Sequence, residues 1–234
     1  MATSEAGFTT KMGVLARKDL RVEARGRDTL PPMLAFSFAV VLVLAFTVPE
    51  EGDIQAAVLG DILAGFLWIT ILFAGLIGFA RTFEIEREEG AIDALLLVPV
   101  DRSGLFLAKA IANLVFILVV ELFIVPVFAL LFDLEVGSWP LLLLVLLLGD
   151  LGFVVIGTLF SSIAAQTRSR ELMLPLLALP ALVPVFIASV ELTSDLFAGA
   201  GLSEITQRGW FGILLAFDLL FAIVGSLVFE FAID

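Results

Sequence analysis

The sequence predicts an all-α polytopic membrane protein with six transmembrane helices and an N-terminal amphipathic helix at the membrane interface. Of its 234 residues, 61% are hydrophobic and only 16% are charged. This apolar share exceeds the roughly 45–50% of soluble domains. It falls in long runs that approach or exceed the ~20 residues a helix needs to cross a bilayer. Because no stretch between the runs could form a soluble domain, we expect one membrane domain over residues 1–234.

The orientation of the crossings follows from the placement of Lys and Arg. The predicted crossings span about 33–48, 57–80, 105–132, 139–163, 172–190 and 210–229, and the first is short unless residues 30–32 belong to it. Of the 13 basic residues, only Arg208 falls on the side opposite to the others. Cytoplasmic loops carry the excess of basic residues. We therefore expect a multi-pass protein of a prokaryotic cytoplasmic membrane, with both termini in the cytoplasm.

The segment before the first crossing, residues 1–30, predicts an amphipathic helix. Phe8, Met12, Leu15 and Val22 recur at helical spacing with basic residues between them. Such a helix lies on the cytoplasmic membrane surface. A disordered basic tail is the alternative, and a cleavable signal is not expected because a long polar segment precedes the apolar run.

The connection between the second and third crossings, residues 81–104, predicts a coupling element. It opens with Arg81, Phe83 and an acidic run that includes Glu88 and Glu89; Gly90 then permits a change of direction, Leu95, Leu96 and Leu97 are apolar, and Pro99 ends the short helix. A short apolar-faced helix outside the bilayer must bury that face, so we expect docking in a groove of a cytoplasmic partner. The alternative is a helix that rests on the membrane interface.

Missing residue types limit the chemistry. The chain has no Cys, His or Tyr, which argues against thiol chemistry, zinc sites and the usual nucleophile–base pairs. The sequence contains no phosphate-binding loop motif, so ATP-driven work would need a partner chain. We expect no catalytic residues, no metal site and no directly bound cofactor.

Ionisable residues inside the predicted crossings are candidate functional groups. Glu121, Asp150 and Asp218 fall within apolar runs, where a charge costs about 2.5–3.5 kcal/mol. They predict either a polar vestibule or proton-linked site, or protonated and hydrogen-bonded carboxyls between helices. Lys109 lies one turn inside the third crossing, where it can reach the membrane edge or pair with an acid.

Prolines predict kinks in two crossings. Pro126 lies in the third crossing, and Pro175, Pro180 and Pro184 lie in the fifth. Each removes a backbone donor, so we expect the fifth helix to be kinked or partly unwound. It would be either a moving element or a fixed bend.

A family resemblance appears over about residues 81–190. The order of Arg81-x-Phe83, the acidic run, Gly90, Leu95-Leu96-Leu97-x-Pro99, Leu107-Ala108-Lys109 and Pro126 resembles the CcmB family, the B subunit of the cytochrome c maturation haem exporter. Gly149, Gly152 and Gly157 and the run from Leu179 to Ala188 add to the resemblance. It implies an ABC-2-like exporter permease in which residues 81–101 couple to an ATPase.

The resemblance also implies partners. They are a CcmA-like ABC ATPase, CcmC-like and CcmD-like membrane subunits, a CcmE-like haem chaperone, membrane lipid and a second permease copy in a homodimer; no nucleic acid is implied. Haem would be the substrate of the complex, exported or released on its chaperone. An exporter for another hydrophobic substrate, or a scaffold that docks the ATPase without transport, remains an alternative. The net charge of −12 and the excess of Arg over Lys suggest a halophilic host.

Overall fold

The protein is all-helical throughout the part of the chain that the structure describes. This computed structural model describes residues 8–48, 56–83, 102–134, 136–165, 167 and 170–232. Within these ranges the helices are α1 (Phe8–Gly26), α2 (Leu30–Thr47), α3 (Ala56–Arg81), α4 (Arg102–Leu131), α5 (Trp139–Ala165), α6 (Arg170–Phe197), α7 (Leu202–Gln207) and α8 (Trp210–Ala232). The described ranges contain no strand.

Helix length and hydropathy confirm a polytopic membrane protein. Five helices, α2 to α6, are long and apolar enough to cross a bilayer. The predicted sixth crossing corresponds to α8, which has 23 residues and a strongly apolar part over Trp210–Gly225. The outer surface agrees with a lipid environment: Phe46, Leu130 and Leu172 are 89%, 83% and 77% exposed. In water such a surface would be an aggregation hazard.

The centre of the bundle is formed by α3, α5 and α6, with α8 packed on α5 and α6, and α2 on α3 and α4. Aromatic side chains fill this centre. The rings of Trp68 and Phe186 meet edge to face with centroids 5.5 Å apart, and Phe153 meets Phe186 at 5.3 Å and Phe79 at 5.0 Å. Trp68 also donates from Nε1 to Thr193 Oγ1 at 2.9 Å. The middle of a single copy is therefore a packed core.

The structure corrects the fifth crossing. The sequence prediction ended it at Val190, but α6 continues to Phe197 and carries Glu191 and Asp195 within the helix. Pro175, Pro180 and Pro184 all lie inside this continuous helix, so of the two predicted outcomes the partial unwinding is absent, and the kink stays a prediction. Pro126 likewise lies inside α4. Neighbouring helices in a membrane can satisfy the carbonyl groups that a proline frees.

The two ends of the bundle differ in charge. At the end we call the basic end, α1 packs along α4, and the start of α2, the end of α3 and the start of α4 border a common cleft. At the other end, here the acidic end, Asp195 pairs with Arg208 at 2.7 Å. Ser194 there donates a hydrogen bond to Asp61. As the sequence predicted, the basic residues of α1 lie at one end of the bundle and Arg208 lies at the other.

Candidate functional site

Lys109 is the centre of the basic end. Its side chain is only 6% exposed, and its Nζ lies 3.1 Å from Asp19 Oδ2 on α1. The same Nζ donates to the carbonyl oxygen of Thr82 at 3.0 Å and lies 5.5 Å from the ring centroid of Phe83. One buried ammonium therefore connects α1, the end of α3 and α4.

The end of α3 is capped by side chains from its neighbours. The last carbonyl groups of a helix have no partner within the helix and carry partial negative charge. Lys109 of α4 supplies a donor to Thr82, and Ser161 of α5 donates from Oγ to the carbonyl oxygen of Phe79 at 2.6 Å. The end of α3 is thereby fixed to α4 and α5.

A second polar chain continues from the same point into α5. Thr82 Oγ1 donates to Asn113 Oδ1 at 3.1 Å, and Asn113 Nδ2 donates to Thr158 Oγ1 at 3.0 Å. Asn113 and Thr158 are 4% and 0% exposed. We call the set Asp19, Thr82, Lys109, Asn113, Thr158 and Ser161 the basic-end junction. Its polar groups satisfy one another in an apolar setting, which favours a single arrangement of the helices.

Glu23 joins α1 to the start of α2. Its carboxylate accepts hydrogen bonds from the backbone N–H of Thr29, 3.0 Å from each oxygen, and from that of Leu30 at 2.8 Å. Glu23 is 6% exposed. A carboxylate at a helix N-terminus satisfies free donors and opposes the positive end of the helix dipole. Glu23 therefore fixes the angle between α1 and α2.

We expect Glu23→Ala to lower the free energy of unfolding by about 1–3 kcal/mol, because the buried backbone donor of Thr29 and the partly buried donor of Leu30 lose a charged acceptor. The connection from α1 to α2 should also open, so limited trypsin digestion at Arg25 and Arg27 should be faster. Thermal melting in detergent and digestion rates measure the two effects. Asp28→Ala, at an exposed position, is the matched control; equal effects in both variants would contradict the assignment.

A small cleft lies between these connections. Its lining includes Lys18, Asp19, Glu23, Arg81, Lys109 and Asn113. The interior volume is about 40 Å³, which is room for a few water molecules and not for a macrocycle. The cleft is therefore a gap between helices that only small groups can enter.

The central part of the predicted coupling element lies outside the described residues. Glu88, Glu89, Gly90, Leu95, Leu96, Leu97 and Pro99 all fall there. The structure places the two flanks of the element. Arg81 lies in the last turn of α3, and Phe83 packs with Leu105 and Phe106 of α4. Both flanks of the element therefore meet at the basic-end junction.

The intramembrane carboxyls do not form one group. Glu121 of α4 and Asp150 of α5 are direct neighbours, and they are 5% and 0% exposed. Asp218 of α8 lies instead against Gly152. Residues two apart in a helix point about 200° apart. Asp150 and Gly152 therefore lie on nearly opposite faces of α5, and Asp218 of α8 contacts the face of Gly152. The structure brings two of the three predicted residues together and separates the third.

Asp19 and Glu23 were not among the candidate site residues that the sequence predicted. Their signal was present: Asp19 falls between Leu15 and Val22 on the apolar stripe of α1, and Glu23 follows four residues later. An acid on an apolar face needs a buried partner. Such a pattern indicates that α1 packs on other helices of the protein, and not on lipid alone.

Sequence comparisons identify the family of the chain. The profile of the family described as "CcmB protein" matches residues 10–234. Heme exporter protein B of Rhodobacter capsulatus is 33% identical over 181 residues, 77% of this chain and 81% of that protein. The protein of the same name from Paracoccus denitrificans is 31% identical over 189 residues, 81% of this chain and 85% of that protein. The Pseudomonas aeruginosa protein is 28% identical over 174 residues, 74% and 76% of the two chains. With nearly its whole length matched by the profile, the chain belongs to the CcmB family.

Proposed function

We propose that this chain is the membrane permease subunit of an ABC-type complex for cytochrome c biogenesis. It couples ATP hydrolysis in a separate ATPase to haem export or to release of a haem-loaded chaperone. Membership of the CcmB family supports this proposal, as do relatives named heme exporter protein B. The chain contributes no catalytic residues, and hydrolysis takes place in the partner.

The basic-end junction is the observation that carries the coupling role. Residues 84–101 connect Phe83 to the start of α4 in the sequence, and Lys109 of α4 holds these two flanks together through Thr82 and Phe83. A force on the segment between them is therefore delivered to α3 and α4 as a pair. Helices with packed, hydrogen-bonded ends transmit such a displacement as rigid elements.

The remaining partners follow from the same proposal. A CcmA-like ATPase docks on residues 81–101 on the cytoplasmic side, where both termini also lie. Two ATPase subunits require two permease copies, which gives a homodimer. CcmC-like and CcmD-like membrane subunits and a CcmE-like chaperone complete the complex.

The docking test replaces apolar anchors by charge. Leu95→Asp and Leu96→Asp should abolish co-purification of the ATPase, because a carboxylate cannot enter an apolar groove without a large desolvation cost. Leu202→Asp is a matched control, since Leu202 is 57% exposed on α7 at the acidic end. Undiminished co-purification with both variants would overturn the coupling role of residues 81–101.

A scaffold role is the second candidate function, and the packed core of a single copy supports it. Trp68, Phe153 and Phe186 fill the centre of a single copy, so transport would need a route along another face or between two copies. ATP-dependent haem flux in vesicles that hold this chain and the ATPase, without the CcmC-like subunit, supports transport. Flux that requires the CcmC-like subunit supports the scaffold.

A further inference from the structure

The neighbouring carboxyls of Glu121 and Asp150 lie in the middle of the bundle, apart from the basic-end junction. Glu121 is twelve residues beyond Lys109 in α4, or about 18 Å along the helix axis at 1.5 Å per residue. Asp150 lies near the midpoint of α5. Both helices are packed against each other, so the two groups are held together by the fold.

These carboxyls lack donors. Neither oxygen of Asp150 has a hydrogen-bond partner among the described residues, and Oε1 of Glu121 has none either. Asp150 is 0% exposed and Glu121 is 5% exposed. Ionised carboxylates only accept hydrogen bonds, so two of them cannot satisfy each other. One proton between them changes this, because a protonated carboxyl donates to its neighbour.

Among the described residues, Asp218 is the one other ionisable group of the surrounding helices at this depth. The elements packed on α4 and α5 are α1, α2, α3, α6 and α8, and α2 contains no charged residue. Described charged groups on the others lie at the two ends of the bundle, except Asp218. At the basic end they are Lys11, Arg17, Lys18, Asp19, Arg21, Glu23 and Arg25 of α1 and Arg81 of α3, and at the acidic end they are Asp61, Glu191 and Asp195. Asp218 contacts Gly152 on the other face of α5.

We propose that Glu121 and Asp150 share one proton and form a proton-binding site that links α4 to α5. Two like charges side by side in a water-free core repel strongly, so loss of the proton drives the two helices apart at this level. Because α4 also carries Lys109, the protonation state of the pair biases the position of the helix that leaves the basic-end junction. This site does not depend on the proposed haem substrate or on ATPase docking.

The test is carbodiimide labelling of the full chain in lipid vesicles. Dicyclohexylcarbodiimide adds to protonated carboxyls in apolar surroundings and leaves an acylurea that peptide mass spectrometry locates. We expect the label on Glu121 or Asp150, and we expect labelling to fall as the pH rises. Absence of label at both positions would overturn the proposal. If sodium ions at constant pH protected the two carboxyls from the label, the site would bind sodium instead of a proton, and the proposal would also be overturned.

Sharing of the proton is tested by reciprocal variants. E121Q removes the like-charged neighbour of Asp150. The midpoint, the pH at which half of Asp150 is labelled, should therefore fall by about one unit or more. D150N should shift the labelling of Glu121 in the same direction. The matched control is D218N, which should leave both midpoints unchanged. Unshifted midpoints in E121Q and D150N would show two independent carboxyls and overturn a shared proton. Gel filtration confirms that each variant is folded.

Discussion

Replacing Lys109 by glutamine should lower the free energy of unfolding by about 3–5 kcal/mol, since removing one partner of a buried ion pair leaves the other charge uncompensated. Among the described residues Asp19, whose side chain is 15% exposed, would keep Lys18 at 3.5 Å as its ion-pair partner, and the Lys18 side chain is 44% exposed. The carbonyl group of Thr82 would also lose its ammonium donor. Thermal melting in detergent measures the loss of stability. ATPase activity of the assembled complex should fall with it, because α3 and α4 are no longer held together.

Two further variants make this prediction specific. Arg17→Gln removes one positive charge from an exposed position of α1 and should change stability by less than about 0.5 kcal/mol. The double variant Lys109→Gln with Asp19→Asn should be more stable than the sum of the single effects implies, because neither charge is then left alone. Strict additivity of the two single variants would show that the ion pair contributes nothing.

Replacing Gly149 by leucine should prevent assembly of the α3–α5–α6 core. A Cβ atom at Gly149 would lie 2.6 Å from Ser189 Oγ and 2.9 Å from Cζ3 of Trp68. Both neighbours are fully buried, and Trp68 is held by its bond to Thr193, so α5 would have to move away from α3 and α6. Overpacking a core by single methylene groups already costs about 1–3 kcal/mol, and leucine adds four carbons here. We expect loss of the monodisperse protein in detergent gel filtration.

Gly65→Leu is the matched control for this substitution. A Cβ atom at Gly65, in α3, would meet nothing within 4 Å. Leucine is the better helix former by nearly 1 kcal/mol, so this variant should be as stable as the parent or slightly more stable. Equal loss in both variants would show that leucine in a membrane helix is harmful in itself, and that the close approach at Gly149 is not the cause.

Much of the helical architecture could be predicted because it depends on local sequence. The predicted crossing at 57–80 agrees with α3, Ala56–Arg81, and the crossing at 139–163 agrees with α5, Trp139–Ala165. Hydropathy is summed over about twenty neighbouring residues, so these elements need no tertiary information. The end of α6 was missed because Glu191 and Asp195 resembled the start of an external loop. In the structure Asp195 pairs with Arg208, which stabilises two more turns of helix.

The candidate site was predictable only in part. Lys109 was identified from its position at the membrane edge, but its partners come from α1 and from the end of α3. Sequence spacing cannot show that residues 19, 82 and 109 meet, because the helix rotations and crossing angles that bring them together depend on packing. The acid on the apolar stripe of α1 was a usable signal that a buried partner exists.

The sequence by itself determined the all-helical membrane class, the charge difference between the two ends and the family resemblance. These properties follow from composition, apolar run length and residue order along one chain. Only the tertiary structure decided which polar groups meet. It joined Glu121 to Asp150 and placed Asp218 against Gly152, on nearly the opposite face of α5. The physical reason is that each helix buries one face against particular neighbours, and that choice is made by side-chain packing among distant segments.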